Sequence, residues 1–278
     1  MRPTKILLTL TLSLISLLTI SCSSSGPKGP EPGTPAFYWQ GAKETFAAKD
    51  YMKTLDNLDR AAKDAELGPK AAAWALIVDA GLIRGYNDMA DEFEMGARAN
   101  RNNPGSFRKQ TSDYRRLARP LSLQMAERYM AFQKTKDEQI ALAFPFPAGT
   151  ASESPLQEKI AKGLMPQASE LEDTLRAALS RGLVLTASDA AGLGEDAAKA
   201  AESFKAGDVK VPRATFVQAM GRAFVNAAEL FGPKKLDEPD RARFFAENAK
   251  EALKGAPDSK AMKTLNEKIE KILKDTKK

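Results

Sequence analysis

Apolar positions recur at three- and four-residue spacing along most of the chain, which is the pattern of amphipathic helices. Thr34-Pro35 supplies a capping hydroxyl followed by a first-turn proline, so a helix is predicted from residue 35 to about 48. Lys49-Asp50 makes a turn. A second helix over about 51–66 puts Leu55, Leu58, Ala61 and Ala62 on its inner face. Gly68-Pro69 closes this pair and opens another, predicted as helices 71–84 and 87–100 broken at Gly85. A third pair would begin at Pro104 and turn at Pro120. Its second helix, 121–133, carries Leu121, Met125 and Tyr129 at i, i+4 and i+8. One long helix kinked at Pro120 is the other reading.

The run ALAFPFPAGTASESP over 141–155 cannot continue a helix. Residues 135–156 are therefore read as a Phe/Pro/Ser-rich loop dividing helical repeats (35–134) from a C-terminal helical region (157–278). There Ser169 and Glu172 have capping-box spacing, Leu171, Leu175, Ala178 and Leu179 form a face, and Gly182 is read as a helix end. Leu183 to Thr186 either continue that helix or form a short extended segment. A further helix is expected over 195–205. The strongest apolar helix runs over 212–231, with Phe216, Met220, Ala223, Phe224, Ala227, Leu230 and Phe231. Two more follow, one capped by Asp237 and one bearing Met262, Leu265, Ile269, Ile272 and Leu273, and these last three are expected to form an antiparallel bundle. The fold class predicted is all-α, a hairpin array followed by a C-terminal bundle. Little sheet is expected.

The first pairs repeat at a spacing of 35: Trp39 falls on Trp74, Tyr51 on Tyr86, Leu58 on Phe93, Ala62 on Ala97 and Pro69 on Pro104. This resembles the tetratricopeptide repeat, a helix–turn–helix unit of about 34 residues. Tyr51 and Tyr86 match its turn tyrosine, Leu58 and Phe93 its large apolar position, and Ala61 and Gly96 its small one. The tryptophans sit one place later than the family's aromatic. The resemblance implies a concave groove, lined here by Trp39, Lys43, Phe46, Trp74 and Val78, that binds a peptide or partner helix. The competing reading puts both tryptophans in the core, since burying each removes roughly 150–250 Å² from water.

The N-terminus reads as an address. Arg2 and Lys5 precede an uncharged run from Ile6 to Ile20, too short for a membrane span of about 20 residues and suited to a signal-peptide core. Ser21-Cys22 follows, and Cys22 is the only cysteine. This resembles a bacterial lipoprotein signal over residues 1–21, and implies cleavage before Cys22 and its acylation. By the sorting pattern of such proteins, Ser23 after the cysteine implies the periplasmic face of the outer membrane. Residues 22–34, rich in Ser, Gly and Pro, read as a flexible tether.

Charge and chemistry narrow the function. Loss of Arg2 and Lys5 with the signal lowers the net charge from +6 to +4, and in an exported chain this argues for an anionic envelope surface and against nucleic acid. Arg108, Arg115 and Arg119, spaced by seven and four, fall near one helix face and are a candidate anionic-surface contact, although such a run is commonly just solvated. The chain has no histidine, which excludes histidine-dependent triads and metal sites. Gly192-x-Gly194-x-x-Ala197 lacks the strand a dinucleotide loop requires. Glu202-Ser203 and Gly163-Leu164-Met165-Pro166-Gln167 resemble the two motifs of lytic transglycosylases, but their order is reversed and a proline interrupts the second, so that activity is set aside. No catalytic residue, metal or cofactor is expected. The reading is a lipid-anchored scaffold for another envelope protein or peptide. The alternative is an accessory small-ligand-binding lipoprotein working with a transporter.

Overall fold

The computed structural model describes residues 29–194 and 196–277. The signal peptide, Cys22 and the first part of the tether lie outside the described residues, as does Glu195. Ten helices and one two-stranded ladder make up the described residues, so the chain is predominantly helical, at 69%. None of these helices is long and apolar enough to cross a membrane.

The first hairpin forms as the sequence dictates. Helix α1 (Pro35–Ala47) begins where the Phe37 amide donates to Thr34 Oγ1 at 3.3 Å. Lys49 takes a positive φ of 62° in the turn, and Asp50 caps α2 (Tyr51–Ala61). Leu55, Leu58 and Ala61 are buried, whereas Ala62 lies past the helix end and is exposed.

The hairpin then stops repeating. Helix α3 runs unbroken from Gly68 to Ala99, about 48 Å at the usual rise, with Gly85 inside it. Helix α4 is likewise single, Gly105–Phe132, with Pro120 inside it. Pro120 is exposed, so the carbonyl it leaves without a donor faces water. Leu121, Met125 and Tyr129 are buried as expected. The second and third predicted hairpins are therefore two long antiparallel-packed helices, and α3 is the central strut of the fold, touching α2, α4 and several elements from the second half of the chain.

Glycine explains the continuity. Helix α5 (Pro155–Ala161) and helix α6 (Ala168–Ala190) both pack on α3. A Cβ on Gly182 of α6 would lie 2.2 Å from the Gly81 carbonyl oxygen, and one on Gly85 would lie 2.8 Å from that of Ala178. Backbone meets backbone at this crossing. Glycine costs about 1 kcal/mol of helix propensity but permits an approach no side chain allows. Gly182 accordingly does not end α6, and Leu183–Thr186 continue the helix. The α6 start also sits earlier than predicted: Glu170 Oε2 accepts from the Gln167 amide at 2.8 Å, in place of the Ser169/Glu172 pairing.

The predicted interdomain loop is instead a seam. Strand β1 (Gln139–Leu142) pairs antiparallel with β2 (Val209–Pro212), aligning Ile140 with Val211. Phe144 stacks on Trp74 at 5.5 Å and packs against Phe204 of α7 (Ala197–Lys205) at 5.0 Å. One apolar cluster extends from Ala42 to Ile269, so both halves share a core.

Helix α8 (Arg213–Phe231) buries all seven of its predicted apolar residues. Asp237 adopts a positive φ of 55°, and Glu238 takes the cap position of α9 (Pro239–Ala252). Helix α10 (Lys260–Asp275) packs on α8 and α9 through Ile269. The terminal bundle is thus present, and α8 joins it to α3, α4 and α6.

Candidate functional site

Of the five residues expected to line a groove, three are buried in the protein and two, Trp39 and Lys43, stay half-buried at its edge. Trp74 and Val78 are fully buried and Phe46 nearly so. Trp74 is enclosed by Trp39, edge-on at 5.3 Å, by Phe46 at 5.3 Å and by Phe144. Trp39 remains half-buried, with the Lys43 ammonium 5.5 Å above its ring. The groove assignment is corrected on physical grounds: because α3 is a single helix, no concave face opens between hairpins, and the aromatic residues close on one another.

The three candidate arginines separate. Arg119 is held by Glu238, Nε to Oε1 at 2.7 Å and Nη2 to Oε2 at 3.2 Å, tying α4 to the start of α9. Arg108 and Arg115 instead share a recess of about 430 Å³ between α3 and α4, joined by Arg98 and Lys235. Glu94 in that recess accepts from both Arg115 and Arg98. Burial raises the Glu94 pKa, but these guanidinium bonds outweigh it and hold the carboxyl below its ordinary value.

A larger cleft, about 690 Å³, lies between α3, the end of α6, α8 and α10. Two polar stripes on otherwise apolar helices build it. On α3, Arg84, Asn87, Asp88 and Asp91 follow at helical spacing, and on α8, Thr215, Gln218, Arg222, Asn226 and Glu229 do the same. The charged members are largely satisfied within the fold. Arg222 grips Asp189 through two bonds of 2.7 Å, Lys235 reaches Asp91 at 2.8 Å, Lys268 reaches Glu229 at 2.9 Å, and Arg181 bonds Asp88. Burial raises the Asp88 pKa, opposed by Arg181 and Arg84.

The amides are less completely paired within the fold. Asn87 is 9% exposed. Its Nδ2 donates to the Asn226 carbonyl at 3.4 Å, while its buried Oδ1 has no donor. The Gln218 and Asn226 side-chain amides line the cleft with no partner among the described residues. An amide both donates and accepts, so this wall matches hydroxyl- or amide-bearing molecules better than a bare ion. Among the described residues no cluster of acidic or cysteine side chains has the arrangement of a metal site.

Comparison with protein families, with curated proteins and with solved structures gives no match. The cleft residues carry no motif, but one signal was present in the sequence. A strongly apolar helix over 213–231 that places Gln218, Arg222 and Asn226 four residues apart has a polar stripe with no reason to face a core.

Proposed function

We propose that this chain is a lipid-anchored binding protein of the bacterial cell envelope. Acylated Cys22 holds it at the periplasmic face of the outer membrane, and its helical body carries a neutral polar ligand in the cleft between α3 and α8. The observation that carries this reading is the pair of facing polar stripes whose charges are paired internally and in which the Asn87 Oδ1 is buried without a donor. A buried acceptor without a donor costs about 1–3 kcal/mol, and a ligand N–H or O–H would remove that cost at Asn87. That unpaired acceptor supports reading the protein as an accessory ligand binder that serves a transporter.

The scaffold reading keeps one support: Trp39 and Lys43 are half-exposed, with Phe37 nearby on α1 at 41% exposure. A thermal-shift panel on the full chain distinguishes the two. Sugars, amino acids and cell-wall peptides are tested against the wild type and Asn87→Leu. The cleft reading expects at least one compound to stabilise the wild type and lose its effect in the variant. Stabilisation by none of them, together with a partner protein released by Trp39→Ala, would replace it with the scaffold.

A further inference from the structure

The recess between the end of α3 and the first half of α4 is independent of the cleft, sharing only Lys235 with its lining. Four cations, Arg98, Arg108, Arg115 and Lys235, surround it, with Glu94 as its single carboxylate. That carboxylate is already divided between two guanidiniums, Oε1 to Arg98 and Oε2 to Arg115. Asp91, just outside, takes Lys235 at 2.8 Å and approaches Arg115 only at 3.7 Å. Even with Asp91 included, the positive charge is in excess.

Two groups are unspent. Arg115 is only 8% exposed, and its enclosed Nε has no acceptor, an unfavourable state for a guanidinium N–H. Arg108 is exposed and has no ion pair or hydrogen bond among the described residues. The exposed Ser112 hydroxyl, one turn along α4, is also without a partner. An anion entering here gains charge-assisted bonds without first breaking an ion pair at Arg108. Guanidinium forks favour oxyanions, and a phosphate offers oxygens to several donors at once where a carboxylate offers two.

We propose that this recess binds a phosphate group, carried either by a soluble phosphate compound or by the headgroup of an anionic phospholipid. Calorimetric titration of the full chain in neutral detergent tests it, with pyrophosphate and short-chain phosphatidylglycerol as separate titrants. The expected result is saturable one-to-one binding of at least one titrant, weakened about tenfold or more in Arg108→Glu. Arg108 is exposed and unpaired, so this variant keeps the fold, and an unchanged melting temperature checks that. Binding of pyrophosphate assigns a soluble ligand. Binding of phosphatidylglycerol alone assigns the membrane surface. No binding of either, or equal binding by wild type and Arg108→Glu, overturns the proposal.

Discussion

Gly182→Ala separates two physical accounts of the same residue because they differ in sign. If Gly182 merely interrupts a helix, alanine improves propensity by about 1 kcal/mol and the protein gains stability. In the fold, the added Cβ would sit 2.2 Å from the Gly81 oxygen and 2.8 Å from the Gly85 nitrogen. Both are backbone atoms of a central helix and cannot swing aside as a side-chain tip can. Overpacking typically costs about 1–3 kcal/mol, and contact with backbone puts this site at about 3 kcal/mol. Subtracting the propensity gain leaves a net loss of roughly 2 kcal/mol, a fall in melting temperature of roughly 4–8 °C for a chain of this size. Gly105→Ala is the internal control: nothing lies within 4 Å of its built Cβ, so no fall is expected. Thermal unfolding of the full chain by circular dichroism reads both. A Gly182→Ala protein as stable as the wild type, or more so, would refute the close crossing of α3 and α6.

Pro120→Ala should raise the melting temperature, since Pro120 interrupts the hydrogen bonding on the exposed face of a continuous helix. A fall would mean that the proline forms a turn after all. Asp79 is fully buried, and burial pushes its carboxyl up to about 7, against the Arg128 guanidinium at 2.5 Å. The folded state therefore holds the proton more tightly than the unfolded chain, whose value is near 3.8, so this group's contribution is present at low pH and lost as pH rises through about 7. Urea titrations from about pH 4 to 8 should show that decline in the wild type and a flatter profile in Asp79→Asn; parallel profiles would exclude Asp79 as the source. Cys22→Ala should abolish metabolic labelling with palmitate, and unchanged labelling would remove the lipid anchor from the proposal.

The sequence made the helices legible where periodicity alone decides them. Helix α8 buries every predicted apolar residue because its apolar periodicity is dense enough to run straight through Gly221, and Thr34-Pro35 marks the start of α1 through local capping. The errors came from residues whose meaning depends on a neighbour distant in sequence. Gly85 and Gly182 read as breakers because local propensity cannot see the partner helix that requires them. At Pro120 the sequence leaves a turn and one continuous helix both open, because a proline on the exposed face of a helix and one at a turn give the same local pattern, and the continuous helix is what forms. The strands β1 and β2 are four residues each and lie about 70 positions apart, so no local window pairs them. The tryptophan repeat at Trp39 and Trp74 was real as spacing, yet it placed the two rings against each other instead of on a shared groove. Of the arginine triplet, two share the cationic recess and the third became a structural tie to Glu238.

The central functional claim is that the α3–α8 cleft holds a polar ligand. Native mass spectrometry of the full chain, extracted from membranes in neutral detergent, tests it most directly. A bound small molecule is expected on the wild type and absent from Asn87→Leu and Gln218→Leu preparations of equal stability. A wild-type chain that carries only its own mass and lipid, or a bound molecule retained by both variants, would contradict it.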